Sequence, residues 1–186
     1  MSKILPPEEF ILEHVRLRRP RPSDAEAVFE YGSDPKVAFY ADWPIRTSMD
    51  GLAESLSERA KLWEAGSQFS WVITLLAEDR AIGRVTTNIH DQSADIGYLL
   101  NRRYWGNGYA AEATRPVIDW LLSLPSITKV WATCDTENIA SIRVLEKLGF
   151  SRESRMLHSI VRPQISKKPR DAYLYSLTKL TAEGCT

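Results

Sequence analysis

The chain has 186 residues, which fits one domain or at most two small ones, and 44% of them are hydrophobic, enough for a sizeable core. The 24 basic and 24 acidic residues balance, so no overall field attracts nucleic acid, and we expect no nucleic-acid partner. No window reaches the ~18 apolar residues of a membrane span, and the N-terminal stretch MSKILPPEEF lacks the apolar segment of a signal peptide. We therefore expect a cytoplasmic protein that does not bind membranes, with a single domain over 1–186.

The two cysteines do not indicate a disulfide framework. Cys134 lies in an apolar run and Cys185 is the penultimate residue, so we expect one buried, inert thiol and one free thiol in the tail. The histidines, cysteines and carboxylates do not show metal-ligand spacing, so no metal is predicted.

The N-terminal third predicts one strand and two helices. In HVRLRRP, Val15 and Leu17 alternate with arginines, which is typical of a half-buried strand that ends at the following proline. Capping and turn residues predict a helix over 22–34, and apolar spacing predicts a second, amphipathic helix over 48–65. The aromatic segment 36–47 between them predicts a loop or a short helix.

The remainder of the chain changes from strands in succession to alternating strands and helices. Three strand-like runs, over 69–77, 81–90 and 93–101, are joined by hairpin-length connections and should be antiparallel neighbours. The later elements are a helix over about 107–123, a strand over 126–134, a helix over about 138–148, and strands over 151–161 and 170–178 around a polar loop, 162–170. Alternation of this kind predicts at least one parallel strand pair. The predicted fold is mixed α/β (α+β), with a mostly antiparallel sheet of about seven strands and about four flanking helices.

Two closely spaced glycines, Gly106 and Gly108, stand between the strand DIGYLL and an alanine-rich helix. The N-terminus of a helix leaves N–H groups unpaired and favours anions. Glycines at this point remove side chains that would block a phosphate, and Arg103 can add a charge and a bidentate fork. The loop therefore indicates a phosphate-bearing ligand, although a tight turn without any ligand is the simpler alternative.

Three phosphate-bearing ligands are considered for this loop. A P-loop needs a lysine after its last glycine, and none follows Gly108. The residues from Gly106 to Ala111 match a dinucleotide fingerprint formally, and Asp135 can imitate its acidic residue, but that motif belongs to a first βαβ unit rather than after an antiparallel meander. The pyrophosphate of coenzyme A is the third ligand.

With these motifs the chain resembles the Gcn5-related N-acetyltransferase (GNAT) superfamily, and within it the ribosomal-protein-alanine N-acetyltransferase branch, over about residues 13–178. The stretch from Arg103 to Ala110 is similar to the family's loop for the coenzyme A pyrophosphate. Asn138 to Ser141, followed by Leu145 to Phe150, is similar to its second signature. The resemblance implies a GNAT-like fold whose middle strands, DIGYLL and KVWATC, splay apart after a bulge and open a slot.

This resemblance implies acetyl-CoA as the co-substrate, with its pantetheine arm paired to the free edge of the first splayed strand, as a peptide adds to a sheet edge. A backbone N–H at the splay, that of Ile96 or Tyr98, would polarise the thioester carbonyl. The cofactor-binding residues that the resemblance implies are Ile96, Tyr98, Leu100, Arg103, Trp105, Gly106, Asn107, Gly108, Tyr109, Ala110, Asn138 and Ser141.

For the chemistry, the resemblance implies Ser141 as the general acid that protonates the thiolate, and Asn138 as a hydrogen-bonding partner of pantetheine or of a water. The alternatives are a helix cap at Asn138 and a solvated Ser141. Asp95 is the candidate general base, acting through water, and a sheet-edge residue that orients a loop is the alternative. His90 and Asp91 are further candidates for this role.

In the family, the aromatic segment after the first helix and the loop before the last strand flank the acceptor groove. The resemblance makes Tyr40 and Trp43 candidate substrate-binding residues and places the segment from Arg162 to Arg170 opposite them. The alternatives are a core position for Trp43, a solvated basic face, or a homodimer interface at the two aromatic residues. The basic segment 152–170 favours an acidic acceptor peptide or the 3′-phosphate of the coenzyme.

The sequence therefore predicts an N-acetyltransferase that moves an acetyl group from acetyl-CoA to a primary amine by direct attack, without a covalent enzyme intermediate. A protein N-terminal α-amine of the ribosomal-protein type is the first acceptor hypothesis. The alternatives are a small-molecule amine, such as an antibiotic, polyamine or amino acid derivative, and a non-catalytic acyl-CoA-binding sensor.

Overall fold

A computed structural model describes residues 5–66 and 68–179, so the predicted tail thiol of Cys185 lies outside the described residues. The strands of this part are β1 (Glu9–Ile11), β2 (Val15–Arg18), β3 (Gln68–Leu75), β4 (Glu78–His90), β5 (Ser93–Leu100), β6 (Lys129–Asp135), β7 (Ser151–Arg162) and β8 (Ser166–Thr178). The α-helices of this part are α1 (Ala25–Gly32), α2 (Pro35–Ala38), α3 (Leu52–Ala65), α4 (Tyr109–Ser123) and α5 (Ile139–Lys147).

The strands form one sheet in the order β1-β2-β3-β4-β5-β6-β8-β7, and every neighbouring pair except β5 and β6 is antiparallel. This confirms the mixed, mostly antiparallel α/β sheet and the predicted parallel strand pair. The described residues form eight strands and five helices rather than about seven and four. The additional strand, β1, has only three residues, and the additional helix, α2, is a single turn capped by Asp34, which accepts from the Lys36 N–H at 2.9 Å. Elements this short carry no periodic signal.

Two other boundaries differ from the sequence-based expectation. The predicted polar loop 162–170 is mostly strand, because β7 extends to Arg162 and β8 begins at Ser166. Main-chain pairing between these two strands does not need apolar side chains, so the charged composition hid it. The helix predicted over 48–65 begins at Leu52, since Gly51 before it has a φ of 70° and the left-handed conformation precludes helix.

The sheet buries apolar side chains on both faces. Alternate residues of the central strands, such as Val85 and Ile96, pack with α4 and α5 in the main cluster. The opposite face packs on α1, α2 and α3 through a smaller cluster that includes Val28, Leu56 and the partly buried Leu99. The side of β5 on which a residue lies therefore decides which helical layer it meets.

The parallel pair β5 and β6 is joined for only three residue pairs, Ser93↔Lys129, Ala94↔Val130 and Asp95↔Trp131. Beyond Asp95 the two strands separate, while β5 stays paired with β4 and β6 with β8. The register of β4 on β5 is continuous, so the expected bulge in β5 is absent from this pairing. The separation leaves an open slot between the C-terminal halves of β5 and β6.

The described residues can be compared with two expectations from composition, one on membrane spans and one on Cys134. No helix among them is long and apolar enough to cross a membrane. Cys134 is a free, buried cysteine, as expected, and burial raises the pKa of its thiol to about 11. At neutral pH this thiol is protonated and therefore a poor nucleophile.

Candidate active site

The free edge of β5 presents main-chain donors to the slot. Successive strand residues direct their N–H groups alternately to the two sides of the strand. The N–H of Asn101, which directly follows β5, donates to the Ile82 carbonyl of β4 at 2.7 Å. The N–H groups of Ile96 and Tyr98 therefore point away from β4 into the slot, where the sequence prediction needed them.

The two glycines lie at the wide end of this slot, in the turn that begins α4. Gly106 and Gly108 have φ values of 82° and 81°, a left-handed conformation that favours glycine. A Cβ at Gly106 would meet nothing within 4 Å, so the surface above the loop is open. The first main-chain hydrogen bond of α4 runs from the Glu112 N–H to the Gly108 carbonyl. The N–H groups of Tyr109 and Ala110 precede that bond and are available to an anion.

Two side chains of the loop, those of Asn107 and Trp105, stabilise its conformation by hydrogen bonds to main-chain carbonyls. Asn107 Nδ2 donates to the carbonyls of Tyr104 and Trp105 at 3.1 and 3.3 Å. Trp105 Nε1 donates to the Leu100 carbonyl at 2.8 Å, so the last acceptor on the free edge of β5 is already used. These two residues close the loop against the end of β5.

Arg103, the predicted phosphate partner, forms an ion pair with Glu30 of α1 in this structure, at 3.2 Å. Its side chain is 77% exposed, and an exposed ion pair of this kind contributes about 0–1 kcal/mol. Exchanging Glu30 for a phosphate therefore costs little.

Lys147, at the end of α5, was not predicted as a site residue. Its Nζ lies 3.5 Å from the position that a Cβ of Gly108 would occupy, so a full positive charge stands beside the glycine loop. Its carbonyl also accepts from Arg115 Nη2 at 3.3 Å, which brings a second cation to this side. The sequence offered only the helix-end lysine as a signal, because the contact between α5 and the loop is tertiary.

Across the slot, Tyr98 meets Ser141. The Tyr98 hydroxyl lies 2.9 Å from Ser141 Oγ and 3.1 Å from the Ser141 carbonyl oxygen, to which it can donate. Burial raises the pKa of Tyr98 above its usual range, against the opposing effect of the bond to Ser141, so the phenol is protonated at neutral pH. Asn138 caps α5 by accepting from the Ser141 N–H at 3.1 Å, which is the capping alternative considered for it.

Asp95 is the last residue of β5 that pairs with β6, and it lies on the other face of the sheet from Tyr98, because successive strand residues alternate. Its carboxylate accepts from Asn88 Nδ2 at 3.0 Å and lies 3.0 Å from His90 Nε2. The Asp95 side chain is 23% exposed. The structure therefore separates Asp95 from Ser141 by the thickness of the sheet and joins it to His90, another of the candidates. Asp91, the remaining candidate, occupies an exposed turn with a φ of 41°.

Tyr40 and Trp43 lie near the far side of the slot, as part of the segment between α2 and α3. The Tyr40 hydroxyl donates to the Glu137 carbonyl at 3.1 Å, just beyond β6. The Trp43 carbonyl accepts from Gln164 Nε2 at 3.3 Å, in the turn between β7 and β8. Trp43 is partly buried, so it is neither a full core residue nor a free surface residue. This segment and the β7–β8 hairpin therefore do face one another.

The end of β6 is held by an ion pair between the partly exposed Arg170 and the buried Asp135. Arg170 Nε lies 2.7 Å from Asp135 Oδ2, and Arg170 Nη2 lies 2.7 Å from Glu137 Oε2. Burial alone would raise the pKa of Asp135, but the bonds from Arg170 and from the Glu137 N–H lower it overall. Asp135 is therefore occupied by structure and is not free to bind a ribose hydroxyl. Within the described part of the chain, no group of three or more His, Cys, Asp or Glu residues is arranged to hold a metal ion.

Comparison with known proteins identifies relatives of the whole chain. Residues 14–151 match the family model "Acetyltransferase (GNAT) domain". An uncharacterized N-acetyltransferase, p20, of Bacillus licheniformis is 30% identical over 182 residues, which cover 95% of this chain and 99% of p20. A ribosomal-protein-S5-alanine acetyltransferase from Vibrio fischeri has a similar structure, with a TM-score of 0.78, 23% identity, and coverage of 92% of this chain and 96% of that one. A ribosomal L7/L12 α-N-protein acetyltransferase in complex with coenzyme A gives a TM-score of 0.81 at 19% identity, covering 92% of this chain and 98% of that one.

Proposed function

We propose that this chain, which belongs to the GNAT family of acetyl-CoA-dependent N-acetyltransferases, acetylates the α-amine of a protein N-terminus. The observation that carries the proposal is the slot where β5 leaves β6, with unpaired N–H groups on its free edge and the glycine turn of α4 at its mouth. An extended pantetheine arm would pair with that edge, and the pyrophosphate would bind the N–H groups of the turn. Lys147 and Arg103 would add charge on either side.

Direct attack of the amine fits the groups around this slot. The thioester carbonyl would accept from the N–H of Ile96 or Tyr98, which stabilises the oxyanion that forms as the amine adds. The thiolate would leave toward Ser141, whose proton is replenished by Tyr98. Cys134, the cysteine among the described residues, is a buried protonated thiol, which disfavours an acetyl-cysteine intermediate.

Asp95 is proposed as the base that takes the amine proton, through water. It lies on the sheet face opposite Tyr98, at the point where the slot opens, so the amine would approach from one face and the thiol would leave toward the other. His90 holds the Asp95 carboxylate and can pass the proton to solvent.

Support for a protein N-terminus comes from relatives, two of which act on ribosomal proteins by name. A small-molecule amine is the second candidate, since another relative, the spermidine N(1)-acetyltransferase of Escherichia coli (strain K12), is 28% identical over 74 residues. That match covers 40% of this chain, so it carries less weight than the full-length ones.

The test is a turnover screen with acetyl-CoA, in which thiol release is measured with N-terminal peptides that begin with Ala, Ser or Met and with a panel of small amines. We expect the peptides to give the higher kcat/KM. In parallel, acetyl-CoA at 100 times its Kd should stabilise the fold by about 2.7 kcal/mol, whereas NAD should not. Binding of acetyl-CoA without transfer to any amine would instead favour a non-catalytic acyl-CoA sensor, and stabilisation by NAD alone would contradict the coenzyme A site.

A further inference from the structure

A second recess lies on the α1–α3 face of the sheet, outside the slot. It is a cavity of about 140 Å³ whose walls come from α1, α3, β3, β4 and the segment between α2 and α3. Three arginines from three different elements line it: Arg46, Arg59 and Arg84. The recess has room for a few water molecules or for one small anionic group.

These three arginines have no carboxylate partner among the described residues, unlike the arginines of the ion pairs found elsewhere in the same part of the chain. Arg84 lies with its guanidinium carbon 6.0 Å from the centroid of the Trp43 ring. Arg46 packs over Gly32, where a Cβ would come within 3.1 Å of its Cδ. Each side chain is partly buried, so solvent compensates its charge only in part.

The local field in this recess is strongly positive. Burial, followed by repulsion from Arg84 and Arg46, lowers the pKa of Arg59 to about 10. The group is still charged at neutral pH, and the Tyr31 phenol beside it is neutral there because burial raises its pKa to about 12. Like charges held together in a partly dry recess are stabilised by a bound anion, which supplies the missing counter-charge.

The recess lies on the same face of the sheet as Asp95, at the point where the slot opens. Three residues of β4 lie opposite three residues of β5: Arg84 opposite Leu99, Thr86 opposite Gly97, and Asn88 opposite Asp95. These pairs are two residues apart along the strands, so their side chains project to the same side.

Along the strands, the Arg84–Leu99 pair is therefore about 13 Å from the Asn88–Asp95 pair and about 7 Å from the Thr86–Gly97 pair, at about 3.3 Å per residue. Thr86, Gly97, Asn88 and Asp95 are all partly exposed, so the surface between the two ends is accessible.

We propose that Arg46, Arg59 and Arg84 bind a carboxylate or phosphate group of the acceptor, about 7–13 Å from the amine that is acetylated. This inference rests on the proposed function, because it takes the amine to lie where β5 and β6 separate. In a peptide acceptor bound in extended form, the anionic group corresponds to an acidic side chain at about the third residue. A polyamine is disfavoured, since its second ammonium group would enter a recess that already holds three cations.

The experiment measures kcat/KM for matched acceptors. Peptides carry Asp, phosphoserine, Asn or Lys at the third position. Asp tests recognition of a carboxylate and phosphoserine recognition of a phosphate, whereas Asn and Lys carry no anionic group. The pair ε-aminocaproate and hexylamine makes the same comparison for small molecules. We expect the Asp or phosphoserine peptide to exceed the Asn peptide by about tenfold or more, as for a charged pair at a partly buried site. If only ε-aminocaproate and hexylamine differ in kcat/KM, the anion site is supported and the acceptor is a small molecule.

The variant Arg59→Gln should remove most of this preference by raising KM for the anionic acceptor, with kcat for the neutral acceptor within about twofold of the wild-type value. Lys61→Gln is the matched control: it removes one charge from the same helix, at an exposed side chain that pairs with the nearby Glu58. Arg46→Gln is a second variant, from a surface segment, in case Arg59→Gln does not fold. Retained affinity for acetyl-CoA would show that each variant is folded.

The results separate this inference from the proposed function. Equal kcat/KM for anionic and neutral acceptors, in the wild type, would overturn the anion site and leave acetyl transfer intact. If no amine is acetylated, the proposed function fails. Binding of inorganic phosphate in the presence of coenzyme A then tests, independently of acetyl transfer, whether the recess binds an anion. Stabilisation by phosphate that Arg59→Gln abolishes and Lys61→Gln retains supports the site, and equal stabilisation of all three proteins overturns it.

Discussion

The Tyr98 hydroxyl lies 2.9 Å from Ser141 Oγ and thereby joins β5 to α5 across the slot. Each hydroxyl carries one proton and can also accept, so one of the two can donate to the other while the other donates to a different acceptor. If Tyr98 donates to Ser141 Oγ, the serine proton is free for a departing thiolate, the phenol restores the serine proton, and a proton from solvent then returns to the phenolate. The pair is therefore suited to a two-step proton delivery to sulfur.

Ser141→Ala should lower kcat by about 10²-fold or more, because it removes the hydroxyl that would protonate the thiolate. The Kd for acetyl-CoA should change by less than about threefold, since only one hydrogen bond to the cofactor is affected. Tyr98→Phe should give an intermediate loss of kcat. Steady-state kinetics with calorimetric binding of acetyl-CoA would check this, and unchanged kcat in Ser141→Ala would remove the residue from the chemistry.

Gly108→Val should abolish measurable binding of acetyl-CoA. A β-branched residue is strained at a φ of 81°, and its methyl groups would occupy the space in front of the N–H groups of α4. The matched control is Gly51→Val. Gly51 precedes α3 as Gly108 precedes α4, with a φ of 70° and open space around it, so the backbone strain is similar. Equal loss of binding in both variants would trace the effect to destabilisation rather than to the loop.

Asp95→Asn should lower kcat by about 10²-fold near neutral pH, because the amide cannot accept a proton from the attacking amine. Turnover of this variant should rise between about pH 7 and pH 9.5, as more of the amine is deprotonated in solution. Asp91→Asn, in the adjacent exposed turn, is the control and should behave as the wild type. A kcat for Asp95→Asn within twofold of the wild type would assign Asp95 to orienting His90 and Asn88.

Asp135→Asn should lower the free energy of unfolding by about 3 kcal/mol at pH 7, since it leaves Arg170 with only the exposed Glu137 as partner. Because the folded-state pKa of Asp135 is lowered, its contribution is fully present above the unfolded-state pKa of about 4 and is lost as pH falls through the folded-state value. The stability difference between variant and wild type should therefore shrink below about pH 4. Urea titrations across this range would measure it.

Asp119→Asn is the control for that series. Asp119 is exposed on α4, and its substitution should change stability by less than about 0.5 kcal/mol at any pH. A stability difference for Asp135→Asn that stays constant down to about pH 2 would contradict the ion-pair explanation.

The glycine turn shows what was predictable. The glycine spacing, the strand before it and the alanine-rich helix after it are local features, and the structure has the glycine turn, β5 and α4 in that order. The parallel pair was also predictable, because strand and helix alternate after residue 101 and a crossover helix demands it. The roles of individual residues in binding acetyl-CoA stay predictions.

Other relationships were not predicted, although the first of them follows from the alternation of a predicted strand. Asp95 and Tyr98 are three residues apart, and only their alternation on a strand places them on opposite faces of the sheet. The contact between Lys147 and the glycine loop joins positions far apart in sequence. The segment 162–170 was interpreted as a loop from its charges, but its backbone pairs as strand.

By itself, then, the sequence determined the order of the longer strands and helices, the mixed sheet and the turn at Gly108, because each depends on hydrophobic period, turn chemistry or glycine conformation within a few residues. Only the tertiary structure decided which charges remain without partners. Nothing in the sequence distinguishes Arg46, Arg59 and Arg84 from other arginines. They line one positively charged recess because a loop, a helix and a strand from separate parts of the chain pack together. Electrostatic interaction depends on distance and burial, and neither is a property of the sequence order.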